Sequence, residues 1–336
     1  MSTRRPERAA RNCPSPNAQA DPRAERPIRL GTRGSALALA QTEIVRALLD
    51  QQAPPIRSVV EVVQSLGDRV PDRPLAALSA QGIFTEALEL ALRESRVDAV
   101  IHSAKDLPST LPSDMVLAAT PGRDDPRDCL VTASGLSLLD LPLGATVGTG
   151  SPRRVSQLLG LRPDLRFEPL RGNVDTRRRA ALTGRVDAVV LAAAGLRRLG
   201  LMDRHAVVLS IEQCLPQAGQ GTLAIEIRAT DHQMARVFRA LDATHGETRA
   251  CLVAERAVLA NLRAGCQAPI AAYAEILPDQ SLLLRGCVTS MDGREMLRAS
   301  RQGTADTAGE IGRVVAEDLR SQGASAVLAA AAKGVT

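Results

Sequence analysis

Short apolar runs alternate along this chain with stretches of helical period. Ile28-Arg29-Leu30-Gly31 reads as a strand entering the turn Arg33-Gly34-Ser35. Ala36 to Asp50 then shows a helical period, with Leu37, Ala40, Ile44 and Leu48 on one face and Ser35 as N-cap. Val59 to Val63 predicts a second strand, Gln64 to Gln81 a polar loop, and Phe84 to Glu94 a helix. Next, Ala99-Val100-Ile101 makes a short buried strand that runs out through His102-Ser103-Ala104 into Lys105-Asp106, ended by Leu107-Pro108. An adjacent Lys and Asp thus stand where a strand stops, the usual place for ligand groups in an open α/β sheet.

The same layout returns further on. Ala145-Thr146-Val147 predicts a strand, and Ser151 with Pro152 marks the start of a helix through Leu159. Leu165 to Glu168 alternates as a strand, and Asn173 caps a helix running to Leu182. Arg185-Val186-Asp187-Ala188-Val189-Val190 then repeats Arg96-Val97-Asp98-Ala99-Val100-Ile101 almost letter for letter. Two similar α/β domains facing each other across a cleft are expected. Pro216, Gly219 and Gly221 mark a segment crossing back to the first domain, where Leu223 to Ile227 is a strand. A third unit opens with a helix from Glu247 to Leu262, stopped by Gly265 as a C′ glycine. Strands at 271–276, 281–289 and 295–302 and a helix at 308–322 complete it. The expected limits are 28–121 plus 222–240, then 122–221, then 242–336. Residues 1–27, rich in Arg, Pro and Ala without an apolar core segment, read as a disordered extension and not a secretory signal.

Composition narrows the chemistry. Of 42 Lys and Arg residues only Lys105 and Lys333 are lysine, so a lysine inside an ordered motif suggests a slot ill-suited to a planar guanidinium. The net charge of +5 admits an anionic partner. Three Phe, one Tyr and no Trp disfavour a nucleic-acid stacking platform. The six cysteines and four histidines are scattered without metal-ligand spacing, which points to a reducing, cytoplasmic setting with no metal. No apolar stretch reaches the ~18 residues of a membrane span.

Arg33, Lys105, Arg153, Arg154, Arg171, Arg177 and Arg198 all fall at strand ends or helix starts. There the helix dipole opposes a cation, and their mutual repulsion calls for a polyanion. Asp106 is the one acid expected among them, suited to a developing cation or an N–H. Cys266, in the turn Ala264-Gly265-Cys266-Gln267-Ala268-Pro269, suits a covalent attachment point. His102 is expected to pack beside its strand, and Arg123 to Asp128 to form a charge-paired linker.

These motifs, in this order, resemble the hydroxymethylbilane synthase (porphobilinogen deaminase) family. The carriers are Gly31–Ala38, Ile101–Pro108, Asp124–Asp128, Gly148–Arg154, Arg171–Arg177, Ala194–Gly200, Gly219–Gly221 and Gly265–Ile270. The resemblance implies an α/β fold of two periplasmic-binding-protein-like domains hinged around a cleft, with a small α+β C-terminal domain. It implies a transferase that condenses four porphobilinogen molecules head to tail, losing ammonia at each step, and then hydrolyses off hydroxymethylbilane. A dipyrromethane cofactor joined by a thioether to Cys266 would prime the chain. By the match Asp106 is catalytic, stabilising the cationic azafulvene left when ammonia departs. Arg33, Ser35, Lys105, Thr149, Ser151, Arg153 and Arg154 would hold the cofactor. Arg33, Arg171, Gly172, Arg177, Arg198 and Gln220 would hold the substrate. Gln81 and Ala77 depart from lysines common in the family, and Gly150 from a serine. A cytoplasmic monomer with no nucleic-acid or membrane partner is expected. The competing readings are a non-catalytic carboxylate-binding protein of the periplasmic-binding type and a nucleic-acid-binding regulator on the same fold.

Overall fold

A computed structural model describes residues 26–64, 85–243, 245–263 and 268–333. The first sheet takes β1 (Ile28–Thr32), β2 (Ser58–Val62), β3 (Ala99–Ser103), β4 (Met115–Ala119) and β10 (Leu223–Arg228) in the order β2-β1-β3-β10-β4. The second takes β5 (Asp128–Thr132), β6 (Thr146–Gly148), β7 (Arg166–Glu168), β8 (Ala188–Ala192) and β9 (Ala206–Val208) in the order β7-β6-β8-β5-β9. Both have the same plan. Three parallel strands stand beside one antiparallel strand, and that strand (β10 or β5) arrives directly after the chain has crossed from the other sheet. Each half thus repeats one crossed α/β plan. The third sheet is an antiparallel meander of β11 (Ile270–Ile276), β12 (Leu282–Thr289) and β13 (Met296–Gly303).

The repeated Arg-Val-Asp-Ala-Val segment has a structural cause. Asp98 Oδ2 accepts from Arg29 N at 2.9 Å, and Asp187 Oδ2 accepts from Thr146 N at 2.7 Å. In each sheet the aspartate ties the start of the third strand to the first, where the ladder between them begins. The strands that follow are buried almost throughout, because helices cover both faces.

Helices fall at α1 (Ala36–Asp50), α2 (Glu86–Arg93), α3 (Pro152–Leu161), α4 (Val174–Leu182), α5 (Ala193–Arg198), α6 (His232–Ala243), α7 (Gly246–Leu262), α8 (Ala308–Ser321) and α9 (Ala324–Lys333). Ser35 caps α1 as expected, its hydroxyl accepting from Ala38 N at 3.2 Å. The buried face of α1, however, is Gln41, Thr42, Val45 and Leu49, one position round from the expected one, and Ile44 is exposed. The early turns look into the cleft instead: Leu37 lies on its wall, and Gln41 donates to Ser103 Oγ at 2.8 Å. Ser151 and Asn173 stand at the N-caps of α3 and α4 without making side-chain cap bonds. Helix α7 ends at Leu262 as expected, and Arg263 after it takes the left-handed conformation; Gly265 lies outside the described residues. The polar loop expected at 64–81, with Ala77 and Gln81, lies outside the described residues except for Gln64, as do Phe84, Cys266 and residues 1–25.

The crossings run through 120–127 and 209–222, and they touch each other. Arg123 and Thr222 form an antiparallel bridge, and Asp124 N donates to Gly221 O at 3.1 Å. Gly221 has φ +87°, and a Cβ there would lie 2.3 Å from Asp124 O, so only glycine permits this contact.

Candidate functional site: an arginine-lined cleft between two sheets

The carboxyl ends of β3, β6 and β8 and the N-termini of α1, α3 and α4 all open on one cavity of about 450 Å³. Arg33 and Ser35 come from the start of α1. Lys105 and Asp106 lie on the short 3-10 turn that ends β3. Thr149, Ser151 and Arg154 follow β6, Gly172 and Arg177 lie around the start of α4, and Arg198 ends α5. These ten expected residues share one wall-to-wall space. Arg153 and Gln220 are buried beneath it, and Arg171 is exposed next to Gly172.

The floor of the cluster holds a carboxylate that the sequence reading missed. Asp128, read as part of a paired linker, is the first residue of β5 and fully buried. Its Oδ2 lies 2.8 Å from Arg153 Nη1, and its Oδ1 accepts from Arg154 Nη2 at 2.7 Å and Nε at 3.1 Å. Gln220 Nε2 donates to the same Oδ1 at 2.9 Å, and the Cys214 thiol donates to Oδ2 at 3.5 Å. Burial alone would push the Asp128 carboxyl up, but the two guanidinium charges and the bonds from Arg153 and Gln220 hold it below the usual carboxylate range. Asp106 is therefore not the one acid in the cluster. The cations tolerate one another because one of their counter-ions is built in. The available signal was the apolar run Cys129-Leu130-Val131 directly after Asp128, which marks a strand rather than a linker. The rest of the run does pair: Arg127 with Asp125 at 2.7 Å, and Arg198 with Asp124 at 3.8 Å.

Arg153 also donates to Leu215 O at 2.8 Å, and Gln157 brackets the same residue, donating to its carbonyl at 3.1 Å and accepting from its N–H at 2.8 Å. The second crossing is thus clamped to α3. Lys105 Nζ donates to Gln220 Oε1 at 3.2 Å from the other side. Desolvation lowers the Lys105 ammonium to about 8, with Asp106 and Asp128 opposing the shift and Arg154 and Arg153 adding to it. Desolvation also lowers Arg177 to about 10, with Arg154 contributing, and lowers Arg198, against which Asp124 acts.

His102, expected only to pack, has a partner: its Nε2 lies 3.0 Å from the buried Glu226 Oε2 on β10. That pair lies inside the first sheet, away from the cleft residues.

The donors left over fit a polycarboxylate. Arg153 Nε and Nη2 and Arg177 Nε are buried without hydrogen-bond partners, and an unpaired buried donor is costly until an acceptor arrives. The acetate and propionate groups of a dipyrromethane are such acceptors. Cys129, Cys214 and Cys251 are buried, and desolvation pushes their thiols up to about 12, so none of them suits attachment.

Two family models match the chain. One, described as porphobilinogen deaminase, dipyromethane cofactor binding domain, covers residues 28–236. The other, porphobilinogen deaminase, C-terminal domain, covers 249–321. A porphobilinogen deaminase of Roseiflexus castenholzii is 46% identical over 302 residues, 90% of this chain and 98% of its own. One from Syntrophobacter fumaroxidans is 42% identical over 304 residues, 90% of this chain and 97% of its own. Among solved structures, the second substrate binding domain of a putative amino acid ABC transporter from Streptococcus pneumoniae aligns with 67% of this chain and 96% of its own. That alignment has 15% identity and a TM-score of 0.41.

Proposed function

This chain belongs to the porphobilinogen deaminase family, and from that premise we propose that it is a hydroxymethylbilane synthase. It condenses four porphobilinogen molecules head to tail, releases ammonia at each step, and frees the linear tetrapyrrole by hydrolysis. The observation that carries this reading is the convergence of Arg33, Lys105, Arg154, Arg177 and Arg198 on one cleft around the exposed carboxylate of Asp106.

Each pyrrole brings two carboxylates, so a growing chain is the polyanion that this set of cations calls for. Bound through a thioether to Cys266, a dipyrromethane supplies the pyrrole carbon from which the chain is extended. Arg33, Ser35, Lys105, Thr149, Ser151, Arg153 and Arg154 hold that primer. Arg33, Arg171, Gly172, Arg177 and Arg198 hold the incoming substrate, while Gln220, buried beneath the cleft with both ends of its amide bonded, acts on it only through Lys105. Guanidiniums fork onto carboxylates and fix the rings. Asp106 is the catalytic group: its carboxylate accepts a pyrrole N–H and faces the positive charge that develops as ammonia leaves. The domains run 28–121 plus 222–240, 122–221 and 242–336, and the enzyme works as a cytoplasmic monomer. Among the described residues no helix is long and apolar enough to cross a membrane.

The test is the denatured intact mass. The purified protein should exceed its chain mass by about 420 Da, two porphobilinogens less two ammonias, held as a covalent adduct. Cys266→Ser should show the bare chain and form no tetrapyrrole. A bare wild-type chain that still binds carboxylates would favour the non-catalytic binding protein.

A further inference from the structure

We propose that Asp128 is a positioning residue for this site: through Gln220 it fixes Lys105 across the boundary between the two sheets and keeps Arg153 and Arg154 in register with it. The inference rests on the function proposed above for the cleft, but its geometry does not.

Three separate segments meet here. Asp128 opens β5 in the second sheet, Lys105 ends β3 in the first, and Gln220 lies on the crossing between them. The Gln220 amide can lie only one way. Its Nε2 donates to Pro126 O at 2.7 Å and to Asp128 Oδ1 at 2.9 Å, which leaves Oε1 to accept from Lys105 Nζ at 3.2 Å. Flipped, the amide would set its oxygen against the Asp128 carboxylate and its NH₂ against the Lys105 ammonium, two repulsive contacts in place of two favourable ones. The carboxylate at 128, together with Pro126 O, therefore dictates which end of Gln220 meets Lys105. The same carboxylate takes one face of each neighbouring guanidinium, so the cations of α3 and the lysine of β3 are set from one point.

The charged groups facing Lys105 are Asp106 on its own turn, Arg153 and Arg154 on α3, and Asp128 on β5. Of these, only the two carboxylates favour the ammonium. Removing the charge at 128 removes one of the two and leaves Pro126 O as the only acceptor holding the amide on that side.

Lys105 and Lys333 are the only lysines in the chain, so acylation of Lys105 by an amine-reactive reagent can be followed by peptide mass mapping, with Lys333 as internal reference. Full-length wild type and Asp128→Asn are compared at equal covalent load, read from intact mass. The variant should label Lys105 roughly threefold faster at pH 7 relative to Lys333, with its midpoint moved to lower pH by about half a unit. Gln220→Met leaves both Arg–Asp128 pairs in place and should also speed labelling; it carries the test alone if Asp128→Asn does not fold. A wild-type ratio of Lys105 to Lys333 labelling in either folded variant overturns the proposal. If labelling shifts as stated while the wild-type protein turns over no porphobilinogen, the positioning role stands and the assigned function fails.

Discussion

Arg123 and Glu255 meet at 2.7 Å in the place where all three sheets are joined. Glu255, fully buried on α7, also accepts from Gly219 N at 2.6 Å and from Ala274 N at 2.8 Å. Arg123 in turn donates to Gln220 O at 3.0 Å and lies 5.0 Å over the Tyr273 ring. One carboxylate thus grips both crossings and the first strand of the third sheet. Glu255→Ala would leave the Arg123 guanidinium buried without its counter-ion, and breaking one side of such a pair costs about 3–5 kcal/mol. The expected result is a marked fall in the urea midpoint of unfolding. A midpoint equal to wild type would show that the junction does not hold the sheets together.

Much of this architecture could be read from local pattern, and what escaped has a common physical character. The Arg-Val-Asp-Ala-Val repeat announced two equivalent sheets because a strand start tied by an aspartate needs the same residues twice. Arg33 and Arg154 were visible as cations placed against helix dipoles, whereas Arg198, read the same way, lies in the last turn of α5, where the dipole favours it. What could not be read were relations between distant segments. Asp128 resembles its linker neighbours Asp124 and Asp125 until the fold brings Arg153, Arg154 and Gln220 to it from 25 to 92 positions away. His102 gained Glu226 by antiparallel pairing of β10, a strand reached only after the whole second sheet. β4 and β9 were not read, and β5 was lost because Asp128 was grouped with the charged residues before it rather than with the apolar run Cys129-Leu130-Val131 after it.

Asp106 is the sharpest chemical test. It is exposed on the cleft wall, on a turn anchored through Leu107 N to Ala104 O at 3.3 Å. Asp106→Asn keeps the shape and loses the charge that meets the developing cation. Turnover of porphobilinogen should fall about 10²- to 10³-fold, the scale of other preorganised electrostatic groups, while the denaturation midpoint stays near wild type. Unchanged turnover would remove Asp106 from the chemistry.

Arg177 offers a buried Nε with no hydrogen-bond partner and a guanidinium whose pKa burial has lowered to about 10. Such a group gains by meeting a carboxylate. Arg177→Met should reduce kcat/KM for porphobilinogen roughly 10- to 100-fold, the value of one charged hydrogen-bonded contact. It should also relieve a desolvated charge, so the protein without substrate should be no less stable. Lower stability with unchanged kcat/KM would assign Arg177 to the fold rather than to the site.

Lys105 sets a pH dependence whose sign follows from burial. Desolvation draws its ammonium from the ordinary 10.5 to about 8, against the pull of Asp106 and Asp128. Below about pH 8 the group is charged and holds a carboxylate; above it the charge is lost. The alkaline limb of kcat/KM, which reports the free enzyme, should therefore lie at or above pH 8, because a primer carboxylate held by Lys105 raises the midpoint. Stability moves the other way. The unfolded chain binds the proton more tightly than the folded one between about pH 8 and 10.5, so this group's contribution to stability increases as pH rises through that window. Lys105→Arg stays charged throughout, since a guanidinium does not titrate there. Its residual activity, whatever its size, should keep a flat profile from pH 7 to 9. An alkaline limb that persists unmoved in Lys105→Arg would assign the titration to another group.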